Sequence, residues 1–260
     1  MSAHAIERVV ILTPAVADIL VRLGASESVV GVTRNVTDFP DAVSVGTHLN
    51  PGVENMAALR PTLLIVPAGF NADLARRMGA AHFVYAPRTL RDIIRDVLAL
   101  GTLLGKETEA KTLADSLENI LAELKSPKPM EERPTVLYET RSKPLAVARD
   151  HTIMVDILET AGLRYAYPDS AGIISAEYLL ANAPDYYIYQ EGPMNIDPVP
   201  PARRPGWGGF RGCAWKVDEF SFARPNTTSF ETVRQLNAIL TGEAPCAAGR
   251  LVYPEDDRPQ

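Results

Sequence analysis

The amino-acid sequence predicts an α/β protein of two Rossmann-like lobes with mainly parallel sheets, joined by a long α-helix. Strand-like and helix-like segments alternate through both halves of the 260 residues, as a parallel sheet with helices on its faces requires. Short stretches of the first half recur, in the same order, in the second. In "VENMAALRP" and "AEYLLANAP" a Glu opens an apolar helical run and a Pro closes it, with Glu54 and Pro61, like Glu177 and Pro184, seven residues apart. An apolar strand follows in each case. "DILVRLG" (18–24) and "DILETAG" (156–162) share Asp-Ile-Leu with a Gly six residues after the Asp.

The elements follow in order. "RVVIL" (8–12) is a β-branched run that reads as a buried strand. Thr13-Pro14 supplies an N-cap and a first-turn proline, and Gly24 ends the helix that follows. "SVVGVT" (28–33), "TLLIVP" (62–67) and "HFVYAP" (82–87) are further strands, with a helix over 71–79 between the last two. From Thr89 to Lys125 the strand signal vanishes. Leu90, Ile93, Ile94, Val97 and Leu98, then Leu113, Leu117, Ile120, Leu121 and Leu124, keep helical spacing. Gly101 and Gly105 are expected to break this stretch in two. Its second piece, about 20 residues from Lys106, would span ~30 Å and could join two lobes.

"SPKPMEERP" (126–134) is a polar connection, and "TVLYET" (135–140) restarts the α/β plan, which runs to a helix over 228–242. The expected organisation is an N-terminal lobe over 1–88, a helical linker over 89–130, a C-terminal lobe over 131–245 and a tail over 246–260. Within the second lobe, "QEGPMNIDPVPPARRPGWGGFRGC" (190–213) has no regular period. A loop this long in a domain is functional or mobile as a rule.

Composition narrows the function. A net charge of −6 argues against a general nucleic-acid binder. No run approaches the ~18 apolar residues of a membrane span. The start, "MSAHAIERVVILTP", shows no basic region, long apolar stretch and small-residue cleavage site. The chain is then cytoplasmic, or a leader is missing from the sequence. Cys213 and Cys246 are too far apart for a C-x-x-C motif. A disulfide in an oxidising compartment and a pair of free thiols are both open, and the sequence favours the thiols.

The four histidines form no H-x-x-x-H or H-x-H pair, and neither G-x-S-x-G nor a phosphate-binding G-x-x-x-x-G-K-[ST] occurs. "GWGGFRG" (206–212) puts Arg211 where a dinucleotide motif needs its third Gly, and it follows a proline-rich loop instead of a strand. Asn35 and Asn226 fit the glycosylation pattern, a weak signal in any sequence. The absence of a catalytic constellation shifts the expectation from enzyme to binding protein.

Taken together, "LTPAVADILVRLGASESVVGVT" (12–33), "VGTHLNPGVENMAALRPTLLIVP" (45–67), "ALGTLLGKETEAKTLADSL" (99–117), "MVDILETAGL" (154–163), "ISAEYLLANAPDYYI" (174–188) and "PGWGGFRGCAWKVDEF" (205–220) give the chain a resemblance over nearly its whole length. It resembles the class III periplasmic substrate-binding proteins, the receptors of ABC importers for ferric siderophores, haem and cobalamin. The resemblance implies a ligand cleft between the lobes, no intrinsic cofactor, a monomer outside the cytoplasm and a permease dimer as partner. It also implies that Glu54 and Glu177 are the lobe-tip glutamates that dock onto arginines of the two permease subunits. One carboxylate per lobe at equivalent places suits a two-fold partner. The bland alternative is that each Glu favours the N-terminus of its helix, and one carboxylate can do both. Two departures stand out. The family often has an Arg after the Pro near the final helix, where this chain reads "RPNTTSF" (224–230), and haem receptors usually carry a Tyr near Thr47-His48.

In open α/β sheets ligands bind beyond the carboxyl ends of strands. The loops there offer Arg34, His48, Phe70 and Arg88 in the first lobe, and Arg141, Arg203, Arg204 and Trp207 in the second. Guanidinium and aromatic groups suit a large, flat or anionic chelate such as a ferric siderophore, haem or a corrinoid. His48 is the candidate axial or metal ligand. Against this stands the ordinary behaviour of arginines, which are mostly solvated, and of a Trp, which can plug a lobe. His82 reads as structural. Two rivals remain: a cytoplasmic metal-chelate enzyme or chaperone on a related fold, and a receptor for bare metal or oxyanion.

Overall fold

A computed structural model describes residues 8–34, 36–47, 50–124, 128–167, 172–207, 210 and 212–242. The chain divides into two α/β units, one of Met1–Pro87, Arg91–Asn119 and Pro225–Thr227, the other of Arg88–Leu90, Ile120–Arg224 and Thr228–Gln260.

In the first unit, strands β1 (Val9–Ile11), β2 (Val29–Val32), β3 (Val43–Ser44), β4 (Leu63–Val66) and β5 (Ala81–Val84) form one sheet in the order β3-β2-β1-β4-β5. Every pairing is parallel. The central strands β1 and β4 are buried at every position, which is why they appear in sequence as unbroken apolar runs. Helices α1 (Ala17–Arg22), α2 (Val53–Ala58) and α3 (Ala72–Arg77) connect the strands. Met56 of α2 and Ala75 of α3 pack with Val10, Leu12, Val45, Leu64 and Val66. Asn71 opens α3 by accepting the Asp73 N–H at 3.0 Å.

Helices α4 (Leu90–Leu104) and α5 (Glu107–Glu123) fill the stretch without strands. Only Gly105, at φ +65°, breaks it. Gly101 lies inside α4, contrary to the sequence expectation, because its role is contact. A Cβ there would stand 2.2 Å from Ala110 Cβ and 3.0 Å from the Lys106 carbonyl. Its missing side chain lets α5 approach α4. The 17 residues of α5 give it a length of about 25 Å.

In the second unit, β6 (Thr135–Ser142), β7 (Leu145–Val147), β9 (Tyr186–Glu191) and β10 (Cys213–Asp218) run in the order β10-β9-β6-β7, and β8 (Arg164–Tyr165) also pairs with β6. Only β7 is antiparallel. The sequence β8-β6-β9-β10 repeats β2-β1-β4-β5 of the first unit, so the internal likeness in sequence corresponds to a shared topology. Helices α6 (Ile153–Thr160), α7 (Ala176–Ala181), α8 (Glu219–Ala223) and α9 (Thr228–Leu240) complete the unit.

Strands β3, β7, β8 and β10 were not foreseen. Three are two or three residues long, and β10 mixes buried Trp215 and Val217 with Lys216 and exposed Asp218. Cys213 is disulfide-bonded, which overturns the expectation of free thiols. The chain's other cysteine, Cys246, lies outside the described residues. Among those residues, no helix is long and apolar enough to cross a membrane.

Candidate functional site

Both sheets present the loops beyond their strand carboxyl ends as the place for a ligand. In the first unit the chain steps from β1 to β2 and β3 on one side and then to β4 and β5 on the other, so the switch point falls between β1 and β4. Thr13 and Pro14 follow β1. Beyond β2, Thr33 is buried with a hydroxyl that finds no hydrogen-bond partner, and Arg34 is exposed, its backbone N–H donating to the Gly46 carbonyl at 2.8 Å. Gly46 holds φ +104°, and a Cβ there would meet the Asn50 carbonyl at 2.9 Å, so this tight return requires glycine. Phe70, beyond β4, is half-buried on the core, its ring centroid 6.3 Å from that of His82. Tyr85, beyond β5, is buried and donates to the Pro225 carbonyl at 2.6 Å. Burial, aided by Asp96 and Asp18, pushes its phenol well above the usual value. Arg88 is exposed, and His48 lies outside the described residues.

In the second unit the long Pro/Gly-rich loop covers one sheet face. Register places Leu137 and Glu139 of β6 beside Tyr187 and Tyr189 of β9. Glu139 has no solvent exposure, and Arg204 reaches it from the loop with its side chain 9% exposed. Arg204 Nη1 and Nη2 donate to the two carboxylate oxygens, and Nε donates to the Val199 carbonyl at 2.7 Å. Tyr187 donates its hydroxyl to Glu139, and Asn195 Nδ2 adds a bond at 3.2 Å. Burial works against the Arg204 cation, but the hydrogen bonds and charge of Glu139 outweigh it and raise its pKa. Trp207 is buried, with Arg204 Cζ 4.7 Å from its ring centre, and it meets Tyr187 edge-on at 5.7 Å. Phe210 meets the same tyrosine at 5.5 Å. Arg204 and Trp207 therefore hold the loop to the sheet, while Arg203 is exposed in the turn Pro201–Arg203.

The carboxyl end of β6 carries Arg141, already a candidate from the sequence, and those of β9 and β10 carry residues that sequence reasoning passed over. Arg141 is half-buried with an Nε that has no partner. Beyond β9 the chain turns through Gly192 and Asn195, leaving Met194 58% and Ile196 77% exposed. Beyond β10, Phe220 is 39% exposed, and the Arg224 guanidinium lies 3.6 Å over its ring. The apolar pair in "GPMNIDP" was a signal available in the sequence, because a solvated turn has little use for Met and Ile. Phe220 and Arg224 gave none, since a Phe near a helix start is ordinarily core.

Glu54 and Glu177 occupy matching places, each the second residue of a six-residue helix. Both are exposed. Ser175 caps α7, accepting the Tyr178 N–H at 3.1 Å. The Glu177 backbone N–H, then the Ser175 hydroxyl, hold the Glu177 carboxyl below its ordinary pKa. Exposed apolar side chains stand beside both, Val53 at 47% and Tyr178 at 45%. A groove of about 520 Å³ separates α2 from α3, lined by Val53, Ala57, Asn71, Leu74, Arg77 and Met78. Among the described residues no cluster of His, Cys, Asp and Glu could hold a metal ion.

Two Rossmann-like units of one topology, each with loops beyond its strand carboxyl ends, make up the described chain. The chain belongs to the periplasmic binding protein family, whose pattern it matches over residues 9–205. That family consists of substrate-binding proteins, not enzymes. The chain is similar to the vitamin B12-binding protein of Yersinia pestis (strain Pestoides F), 20% identical over 210 residues that span 76% of this chain and 75% of that one. Among solved structures, it is similar to a periplasmic haem-binding protein of Vibrio cholerae, with TM-score 0.75 and 18% identity over 92% of this chain and 100% of that one. A possible iron-binding, periplasmic solute-binding protein of Staphylococcus epidermidis gives TM-score 0.73 and 20% identity, over 91% and 99% of the two chains. Likeness at this identity establishes the fold.

Proposed function

We propose that the chain is the substrate-binding component of an ABC importer, capturing an iron chelate (siderophore or haem) or cobalamin and handing it unchanged to a permease dimer outside the cytoplasm. The observation that carries this reading is the pair of exposed carboxylates, Glu54 and Glu177, at equivalent positions of two units with one topology. A two-fold partner with a basic pocket on each half would meet one carboxylate from each unit. Exposed charge pairs of this kind orient and speed association more than they tighten it. The disulfide at Cys213 fits an oxidising compartment. Arg34, Phe70, Arg88 and Arg141, with His48 as the metal-seeking group, are the proposed ligand contacts, and Arg203, Arg204 and Trp207 belong to the long loop of the second unit.

The test is chelate uptake by cells carrying the cognate permease. Glu54→Ala and Glu177→Ala should each lower uptake while leaving ligand affinity and melting temperature nearly unchanged, because exposed carboxylates contribute little to stability. The double variant should lower it further, and Glu→Lys should do worse than Glu→Ala by placing like charges face to face. Normal uptake by the double Ala variant would refute the docking role.

A further inference from the structure

Resting on the reading of the chain as a chelate receptor, we infer that its ligand is a planar, apolar-faced tetrapyrrole bearing free carboxylates, and that Met194, Ile196, Phe220 and Arg224 are the residues that select it. Exposed apolar side chains at a loop tip need a reason, and here they cluster at the carboxyl ends of β9 and β10. The tip is not loose. Asn195, between Met194 and Ile196, is only 4% exposed. Its side chain donates to the Gln190 carbonyl at 2.9 Å and to Glu139, and accepts the Ser142 N–H at 3.1 Å and the Ser142 hydroxyl at 3.0 Å. The Met194 N–H donates to Glu219 Oε2 at 2.7 Å, which ties the tip to the start of α8 and so to Phe220. A buried polar anchor thus fixes a tip with two exposed apolar side chains, hydrogen-bonded to the residue that precedes the exposed Phe220.

Arg224 supplies the charge. It is half-buried, and burial holds its guanidinium below the ordinary pKa. Its Cζ lies 3.6 Å from the Phe220 ring centre. Among the described residues it makes no hydrogen bond or ion pair. The nearby acids are otherwise engaged: Glu219 takes the Met194 N–H, and Asp218 caps α8 through the Ser221 N–H at 3.2 Å and hydroxyl at 3.0 Å. A guanidinium stacked on a ring directs its donors outward in its own plane, where they match the two oxygens of a carboxylate. An apolar shelf with one edge-on cation complements a flat macrocycle with carboxylate side arms. A hydrophilic ferric siderophore would cover Ile196 and Met194 with polar surface and gain little from them. Corrinoids, whose side arms are amides, would leave the guanidinium without an anion.

Visible-band titration of the full chain with haem, metal-free protoporphyrin, cobalamin and a ferric hydroxamate siderophore tests the assignment. Both porphyrins should bind, because the shelf recognises face and carboxylate, and cobalamin and siderophore should bind far more weakly. Arg224→Gln and Ile196→Asp should each weaken porphyrin binding by about tenfold or more, the change expected of a central contact residue. Phe220→Ala should do the same, with circular dichroism verifying the fold of all three. Preferential binding of the siderophore or of cobalamin would overturn the ligand class while leaving the receptor reading intact. Porphyrin binding undiminished in all three variants would overturn the shelf. No binding of any chelate would overturn the receptor reading itself.

Discussion

Replacing Arg204 by Met tests the clasp that holds the long loop to the second unit's sheet. The side chain keeps its length and loses its charge, leaving Glu139 at zero exposure with only the Tyr187 hydroxyl and Asn195 Nδ2 as donors. Breaking a buried pair from one side costs about 3–5 kcal/mol, since an uncompensated charge stays in the interior. Loss of the cation over Trp207, 4.7 Å from its ring centre, adds ~0.5–2 kcal/mol. Removing the charge from both sides, as in Arg204→Met/Glu139→Leu, should restore part of this stability. Recovery is incomplete, because the Tyr187 hydroxyl then lacks a partner at a cost of ~1–3 kcal/mol. Urea unfolding followed by tryptophan fluorescence is the suitable assay, since the chain's two tryptophans, Trp207 and Trp215, both lie in this unit. The double variant should be more stable than Arg204→Met alone. A single-variant loss under about 1 kcal/mol, or a double-variant loss equal to the sum of the singles, would show that the clasp does not act as a coupled buried pair.

Two further perturbations have signs fixed by the structure. Gly101→Ala improves helix propensity by ~1 kcal/mol but drives a Cβ to 2.2 Å from Ala110 Cβ; a net loss of ~1–3 kcal/mol is expected, partly reversed by Ala110→Gly, and a melting temperature at or above wild type would refute the contact. Asp96 has its pKa raised, by burial first, against the opposing hydrogen bond from Arg95. The folded state therefore binds this proton more tightly than the unfolded one, so the residue's contribution is most favourable below its unfolded pKa and is lost as pH rises through the folded value. Relative to Asp96→Asn, wild type should gain stability as pH falls from about 7 to about 4, and a pH-independent difference would contradict the shift.

The sequence by itself determined the parallel α/β plan and its duplication. Strands such as Val9–Ile11 and Leu63–Val66 are buried on both faces, and such strands must be continuously apolar, a pattern visible without coordinates. The matched places of Glu54 and Glu177 were legible for the same reason: each is set by a local turn–helix–strand order. Tertiary structure alone decided what depends on distant partners. Trp215 to Asp218 alternates apolar and polar over only four residues behind the Pro/Gly-rich loop, and the assignment of β10 comes from its pairing with β9. Gly101 looks like a helix breaker until Ala110 is placed against it. Arg204, read as a ligand contact, meets Glu139 sixty-five residues away in the chain. The turn that carries Met194 meets the helix that carries Phe220 only because β9 and β10 lie side by side, with the Met194 N–H bonded to Glu219. Local patterns record which face of an element is apolar. Where a charge is neutralised, and which apolar side chains stay uncovered, is fixed by contacts between segments that the order of residues leaves far apart.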